Sequence, residues 1–501
     1  MIMKRLNYQT LKELGYGGYL LKNAPERVLQ FGEGNFLRAF ADCFIDLLNE
    51  KADFNGKVVL VQPNARASSQ GLTDAFRQQE GLYTLYLRGM EHGQKVSEKR
   101  VISCVSRCLN MYRDYEAVMD CAKNPALRFI ICNTTEAGIV YRPDCRFEDA
   151  PPSSYPAKLT QFLYRRFQAF GSEPGKGFVL LPCELIDDNG AALKDCVQRY
   201  ASQWQLGGEF LRWLDRENLF CSTLVDRIVT GYPSAEAEAL AAENGYEDRL
   251  MDTGEPFASW VIEGPQELSK ELPFDKAGLP VLFTDDHRPY KERKVRILNG
   301  AHTSMVLGAF LAGKNIVREC MEDDTIRRFL HRTMFEEILP TLSLPREECA
   351  AFAEAVAERF RNPFIDHALL SISLNSTSKW KTRVLPSLDG YQKLYGQLPA
   401  CITASFAFYL AFYRGTELTG AGLLARRPGG DVYTISDDRE ILEFYFAHRE
   451  DSTGELVHAV CANVSFWGRD LTQIPGFEDQ VCRLLEAVQN DGPLAVMRCL
   501  L

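Results

Sequence analysis

The sequence predicts an α/β N-terminal domain on a doubly wound parallel sheet, residues 1–288, followed by a mostly α-helical C-terminal domain, 289–501. Three observations predict it. The first half alternates short, β-branched apolar runs with helical stretches, a glycine pair follows the first of these runs, and beyond about residue 290 helical periodicity continues while strand candidates become rare. A chain of 501 residues is also too long for one ordinary domain.

Taken in order, RVLQF (27–31), KVVLV (57–61), RFIIC (128–132), GFVLL (177–181) and LFCSTLV (219–225) have the length and composition of strands buried on both faces. Segments 36–50 and 156–170 between them repeat at helical spacing, so the units are right-handed βαβ crossovers. In the second half, 294–312, 323–339, 346–361, 399–414, 437–449 and 476–490 are predicted helices. The Gly/Arg/Pro-rich stretch 415–431 is predicted to be a loop between helices.

Composition narrows the function. Hydrophobic residues make up 46% and charged residues 25%, a globular balance, and no apolar run approaches the roughly 18 residues of a membrane span. The first residues, MIMKRLNYQT, show no secretory h-region. Fifteen cysteines without a CxxC pair, beside seven histidines, give no zinc-ligand spacing and predict reduced thiols in a cytoplasmic protein. A formal net charge of −10 argues against a nucleic-acid partner and requires any anionic ligand to find a local basic site. Two basic runs, KERKVR (291–296) and KWKTR (379–383), are candidates, although such runs also serve as solvated faces.

In VLQFGEGNFLRAF, Gly32 and Gly34 follow the first strand and open a helix, where close backbone approach lets helix N-terminal amides take a pyrophosphate. The third glycine of the usual G-x-G-x-x-G is replaced by Leu37. The second strand ends in Gln62 and Pro63 rather than the acid that holds an adenosine ribose, so the residues alone leave NAD against NADP open; Arg66 is a possible phosphate binder.

KERKVRILNGAH (291–302) carries the chemistry. At 100° per residue Lys294, His302 and Asn299 fall at roughly 0°, 80° and 140° on an α-helix. A polar trio beside Leu298 and Val306 is either a satisfied helix N-terminus or a catalytic group. Hydride exchange with a secondary alcohol needs a proton carrier, and a lysine serves when burial and neighbours such as Lys291 and Arg293 lower its pKa. Asn299 can donate to the developing alkoxide and His302 can hold a neighbouring hydroxyl. Tyr290-x-x-x-Lys294 matches the Tyr-Lys pair of short-chain dehydrogenases, but it lies beyond the sheet, and Tyr8 with Lys12 matches the same spacing.

Together these residues resemble the mannitol dehydrogenase family of polyol-specific long-chain dehydrogenases, whose Lys-x4-Asn-x2-His signature stands here as Lys294, Asn299 and His302. FGEGNFLRAF is similar to the family's glycine loop, which implies cofactor contacts at Phe31, Gly32, Gly34, Asn35 and Phe36. QEGLYT (79–84) is similar to a family block whose acid contacts the cofactor, with Glu80 in its place. NTTEAG (133–138) resembles the stretch near the nicotinamide ribose, implying Thr135 and Glu136, and LVDRI (224–228) is a further block. The motifs run in order from about residue 27 to 390.

The resemblance implies a Rossmann-type domain, an NAD cofactor, Lys294 as general acid/base, Asn299 polarising the carbonyl, no metal and a monomer. Within the family it points to members interconverting D-tagaturonate and D-altronate. The stereoisomeric D-fructuronate/D-mannonate pair and a neutral polyol such as mannitol are the alternatives, and a catalytically silent nucleotide-binding protein is the reading from another class. Two departures stand out. Cys183-Glu184-Leu185 replaces a Cys-Asp-Asn whose asparagine stabilises the oxyanion, and STSK (376–379) replaces DGSxK while keeping Lys379. Lys379, Lys381 and Arg383 are the expected clamp for a sugar-acid carboxylate.

Overall fold

The computed structural model describes all residues except 1–2, 66–69, 92 and 136. It divides into two compact units, residues 1–89 with 95–287, and 90–94 with 288–501.

The strands up to residue 287 are β1 (Glu26–Phe31), β2 (Lys57–Gln62), β3 (Tyr83–Glu91), β4 (Gln94–Ile102), β5 (Val105–Asn110), β6 (Phe129–Cys132), β7 (Val179–Pro182), β8 (Leu219–Phe220), β9 (Thr223–Asp226), β10 (Asp252–Gly254), β11 (Ser259–Glu263) and β12 (Val281–Thr284). Six of these form one parallel sheet in the order β5-β2-β1-β6-β7-β8. The chain builds outward from β1 through β2 to β5, then returns to lay β6, β7 and β8 on the other side. The direction of winding reverses between β1 and β6, the point at which doubly wound sheets take nucleotides.

Strict alternation explains why both faces are covered. Val28, Val58, Leu60, Phe129, Ile131, Val179 and Leu181 enter one core with Phe40, Phe44 and Trp260. Their neighbours Leu29, Val59, Val61, Ile130, Cys132 and Leu180 enter another with Leu159, Phe162 and Leu193. Successive side chains point to opposite faces, so a continuous apolar run is the pattern of a strand buried twice.

Two expectations are corrected here. LFCSTLV is not one strand: Leu219–Phe220 closes the large sheet, and Thr223–Asp226 pairs antiparallel with β11 in a separate sheet of order β12-β11-β9. The edge strand β5, with the sheet β10-β3-β4, lay outside the five predicted strands. The sequence VSRCLN of β5 is interrupted by Ser106 and Arg107 and ends in Asn110, so it lacks the continuous apolar run of the strands inside the sheet.

In the second unit the helix Gly300–Leu311 is buried at every residue and packs on Ala400–Phe412, which is buried at all but two. Helices apolar on all sides belong at the centre of a helical domain. A Cβ at Gly308 would lie 2.6 Å from the Phe408 ring, so glycine is what allows the two helices to approach. The predicted loop 415–431 instead contributes to an antiparallel sheet of β13 (Gly415–Leu418), β14 (Leu423–Arg426) and β15 (Val432–Ile435). Leu423, Ala425, Tyr433 and Ile435 are buried while Arg426, Val432 and Thr434 face outward, and most of the Gly/Arg/Pro content lies in the connecting turns. All fifteen cysteines are free, and all but Cys482 and Cys499 are buried. Among the described residues no helix is long and apolar enough to cross a membrane.

Candidate active site

At the carboxyl ends of β1, β2 and β6 the backbone makes a cradle. The Gly32 amide donates to the Val61 carbonyl (2.9 Å), and the Asn133 amide to Phe31 (3.2 Å). Gly32 has φ +124°, and a Cβ there would lie 3.3 Å from the Asn133 carbonyl and 3.2 Å from Leu37. Leu37, in place of the third glycine, is buried and closes the underside of the turn. At Gly34, the N-cap of the helical stretch 35–51, a Cβ would meet nothing within 4 Å, which leaves the approach to the helix N-terminus clear. An open helix N-terminus behind a tight glycine turn fits a dinucleotide pyrophosphate.

Flanking side chains hold this loop rather than reach out of it. Phe31 is buried with its ring edge-on to Tyr155 (5.2 Å), and half-buried Phe36 stacks on Phe40 (5.2 Å). The Asn35 carboxamide accepts from Arg38 (2.5 Å), itself buried and donating to the Leu250 carbonyl. Phe31, Asn35 and Phe36 therefore offer a ligand chiefly their backbone. Thr135, after β6, is exposed with φ +85°, an outlier for a β-branched residue of the sort that clusters at ligand clamps. Beside it the Thr134 amide and hydroxyl both donate to the buried carboxylate of Glu184 (2.8 and 2.9 Å). Glu184 thus braces the loop after β6 from the end of β7, a role the sequence did not reveal, while Leu185 next to it is 61% exposed.

Glu80 is not brought to this cradle. Its carboxylate accepts from the Tyr8 amide (2.9 Å), and Gly81 packs against Val105, the first residue of β5. That is the amino edge of the sheet, a strand length of about 16 Å from the glycine turn. The predicted Arg66 and Glu136 lie outside the described residues.

In the second unit the signature is not on a plain α-helix. Arg288–Arg293 is α-helical, Lys294–Asn299 is a π-helix, and Gly300–Leu311 resumes the α-helix. The Gly300 amide reaches back five residues to Val295, as π geometry requires. The wider π turn brings residues five apart closer in direction than the 140° of an α-helical wheel, so Lys294 and Asn299 lean toward one side of the helix. Lys294 and Asn299 are half-buried and His302 is buried. Arg293, expected to depress Lys294, pairs with Glu348 (2.5 Å) and covers Tyr290 and Phe352. Tyr290 has its phenol pushed up by burial and by Glu348, the wrong direction for a base.

His302 stands in a buried cluster with basic residues around it. Its ring stacks on Phe360 (4.0 Å) and meets His367 edge-on (5.5 Å), and its Nε2 is buried without a hydrogen-bond partner. Burial, then the fields of His367, Arg359, Arg383 and Lys379, hold its pKa well below the ordinary 6.5, so the ring is neutral. Lys379 donates to the Ile372 carbonyl (2.8 Å), and burial with the neighbouring Arg383 lowers it to about 8. Both stand on the helix Ser376–Arg383, four residues apart and so on one face. Lys381 does not join them: Trp380 is buried, and the Lys381 ammonium turns to Gly468. Gly300 ties the two helices together, since a Cβ there would stand 3.1 Å from the Arg383 carbonyl. Arg359 and His367, missed in the sequence, come from segments far from the signature.

Among the described residues one group, Glu263, Asp286 and His287, has ligand atoms close enough to hold a metal ion, although its sequence spacing is not that of a zinc site. His287 Nδ1 is already 2.6 Å from Glu263.

Comparison with known proteins places this geometry. Residues 26–276 match the mannitol dehydrogenase Rossmann domain and 286–489 the mannitol dehydrogenase C-terminal domain. An altronate oxidoreductase of Pectobacterium atrosepticum is 49% identical over 496 residues, 98% of this chain and 99% of that protein. A crystal structure of D-sorbitol dehydrogenase in substrate-free form superposes with TM-score 0.81 at 22% identity, covering 98% of this chain and all of the other. The Pseudomonas fluorescens mannitol 2-dehydrogenase, a ternary complex with NAD and D-mannitol, does so with TM-score 0.69 at 23% identity over 99% of each chain. The two family domains together take in nearly the whole length from residue 26 to 489, the fold is shared with both dehydrogenase structures, and this chain belongs to the mannitol dehydrogenase family.

Proposed function

We propose that this protein is an NAD-dependent oxidoreductase interconverting D-tagaturonate and D-altronate, without a metal, in the cytoplasm and as a monomer. The observation that carries the sugar-acid reading is the set of basic residues, Lys379, Arg383 and Arg359, whose fields reach the buried, unpartnered His302 Nε2. A neutral polyol gives no reason to gather so much positive charge in a protein of net charge −10, whereas a carboxylate does. The altronate oxidoreductase relative supports the same substrate class.

The cradle of Gly32, Gly34 and the amides of the helix beginning at Asn35 holds the dinucleotide, with Thr135 on the neighbouring loop. A bound nicotinamide supplies or accepts the hydride. In the reductive direction Lys294 gives a proton to the carbonyl oxygen as that oxygen gains charge, and in the oxidative direction it takes the proton back from the hydroxyl. Asn299, brought toward the side of Lys294 by the π turn, donates to the same oxygen and lowers the cost of the alkoxide. His302, neutral, positions a substrate hydroxyl, and Lys379 with Arg383 fixes the carboxylate. Leu185 offers the oxyanion no hydrogen bond, so Asn299 and Lys294 carry that task.

NADH consumption with D-tagaturonate, D-fructuronate and D-fructose tests this. Turnover of D-tagaturonate in preference to the other two is expected. Preference for D-fructuronate would keep the chemistry and change the substrate, and preference for D-fructose would overturn the sugar-acid reading.

A further inference from the structure

The second strand of a dinucleotide fold normally ends in an acid that binds the adenosine ribose, and here it ends in Gln62. The Gln62 carboxamide is buried, and its oxygen accepts from the Thr73 hydroxyl (3.2 Å) and from Asn110, the last residue of β5. With the oxygen so engaged, the Gln62 amide nitrogen is turned toward the glycine turn, where it donates to Glu33 Oε1 at 2.8 Å. Glu33, between Gly32 and Gly34, is thereby drawn over the carboxyl end of β2, the place the missing acid would occupy.

We propose that Glu33 is the ribose-reading acid of this protein, binding the adenosine 2′-hydroxyl and excluding a 2′-phosphate. The proposal rests on the dinucleotide-binding reading of the glycine turn. One hydrogen bond from Gln62 leaves most of the acceptor capacity of the carboxylate for a ribose hydroxyl, and its charge opposes a phosphate at the same spot. The relay Asn110–Gln62–Glu33 links the ends of β5 and β2 to the turn after β1, so the acid is oriented before any ligand arrives. Glu80, at the other edge of the sheet, cannot serve.

Titration of NADH and NADPH binding by protein fluorescence, on the whole chain and on Glu33→Gln, tests the assignment. The glutamine is isosteric and can still accept from Gln62, so the turn keeps its support and only the charge is lost. The wild type is expected to bind NADH about 100-fold more tightly than NADPH. Glu33→Gln should shrink that ratio by roughly tenfold or more, in part by a gain in NADPH affinity that misfolding cannot produce. A wild type that does not discriminate, or a ratio unchanged in Glu33→Gln while NADH still binds, would overturn the role of Glu33. Binding of neither nucleotide by the wild type would remove the dinucleotide reading itself, and Glu33 with it.

Discussion

The two candidate binding regions are built by opposite means. The glycine turn of the first unit works with backbone: Gly32 at positive φ, Gly34 with clear space above it, and side chains that mostly turn inward to brace the loop. The pocket around His302 works with side chains, and concentrates cationic groups that depress one another. The first design is indifferent to most side chains and tolerates Leu37 for glycine. The second depends on particular charges, so its substitutions should change substrate choice rather than cofactor binding.

The largest effect expected from breaking this division is in Lys294→Ala. Loss of the proton carrier should lower kcat about 1000-fold while NADH binding stays as in the wild type; single-turnover kinetics beside a binding titration separates the two. Activity within tenfold of the wild type would remove Lys294 from the chemistry. Gly32→Ala should act on the other region. Alanine is strained at φ +124° and its Cβ presses on the Asn133 carbonyl, so stability should fall by about 1–3 kcal/mol in thermal unfolding and NADH affinity by about tenfold.

A smaller effect follows from pH. Burial and Arg383 hold the Lys379 pKa below its ordinary 10.5, at about 8. The ammonium is present below that value and lost above it, so kcat/KM for the sugar acid should decline several-fold as pH rises through about 8. His302, held neutral, should add no inflection near its ordinary 6.5. The pH profile of kcat/KM for D-tagaturonate checks both. The smallest effect is expected from metal removal. Dialysis against a chelator should leave activity unchanged, and a loss restored by a divalent cation would make Glu263, Asp286 and His287 a working metal centre.

What the sequence disclosed follows the same division. The glycine turn and the strands at the centre of the sheet are local patterns and were legible: apolar runs buried on both faces look alike wherever they occur. The edge strand β5 and the sheet β13–β15 were not, because short strands broken by polar residues and flanked by turn formers resemble loops. The Lys294–Asn299 relation was visible only as spacing. A wheel assumes α geometry, and no residue type announces the π turn that brings the pair toward one side. Lys381 was grouped with Lys379 and Arg383 by proximity in sequence, but buried Trp380 fixes the helix face and turns it away. Glu80 was carried over by motif and lies at the wrong edge. Glu184, Arg359 and His367 could not be found, since each acts through partners far along the chain.

The carboxylate pocket is the central claim, and Arg383→Met tests it most directly, since methionine preserves much of the apolar stem and removes the charge. Steady-state kinetics with D-tagaturonate and with D-fructose should show kcat/KM for the acid falling about 30-fold or more, with the value for the neutral ketose and the KM for NADH unchanged. An equal loss on both substrates, or no loss on the acid, would contradict the assignment of this pocket to the sugar-acid carboxylate.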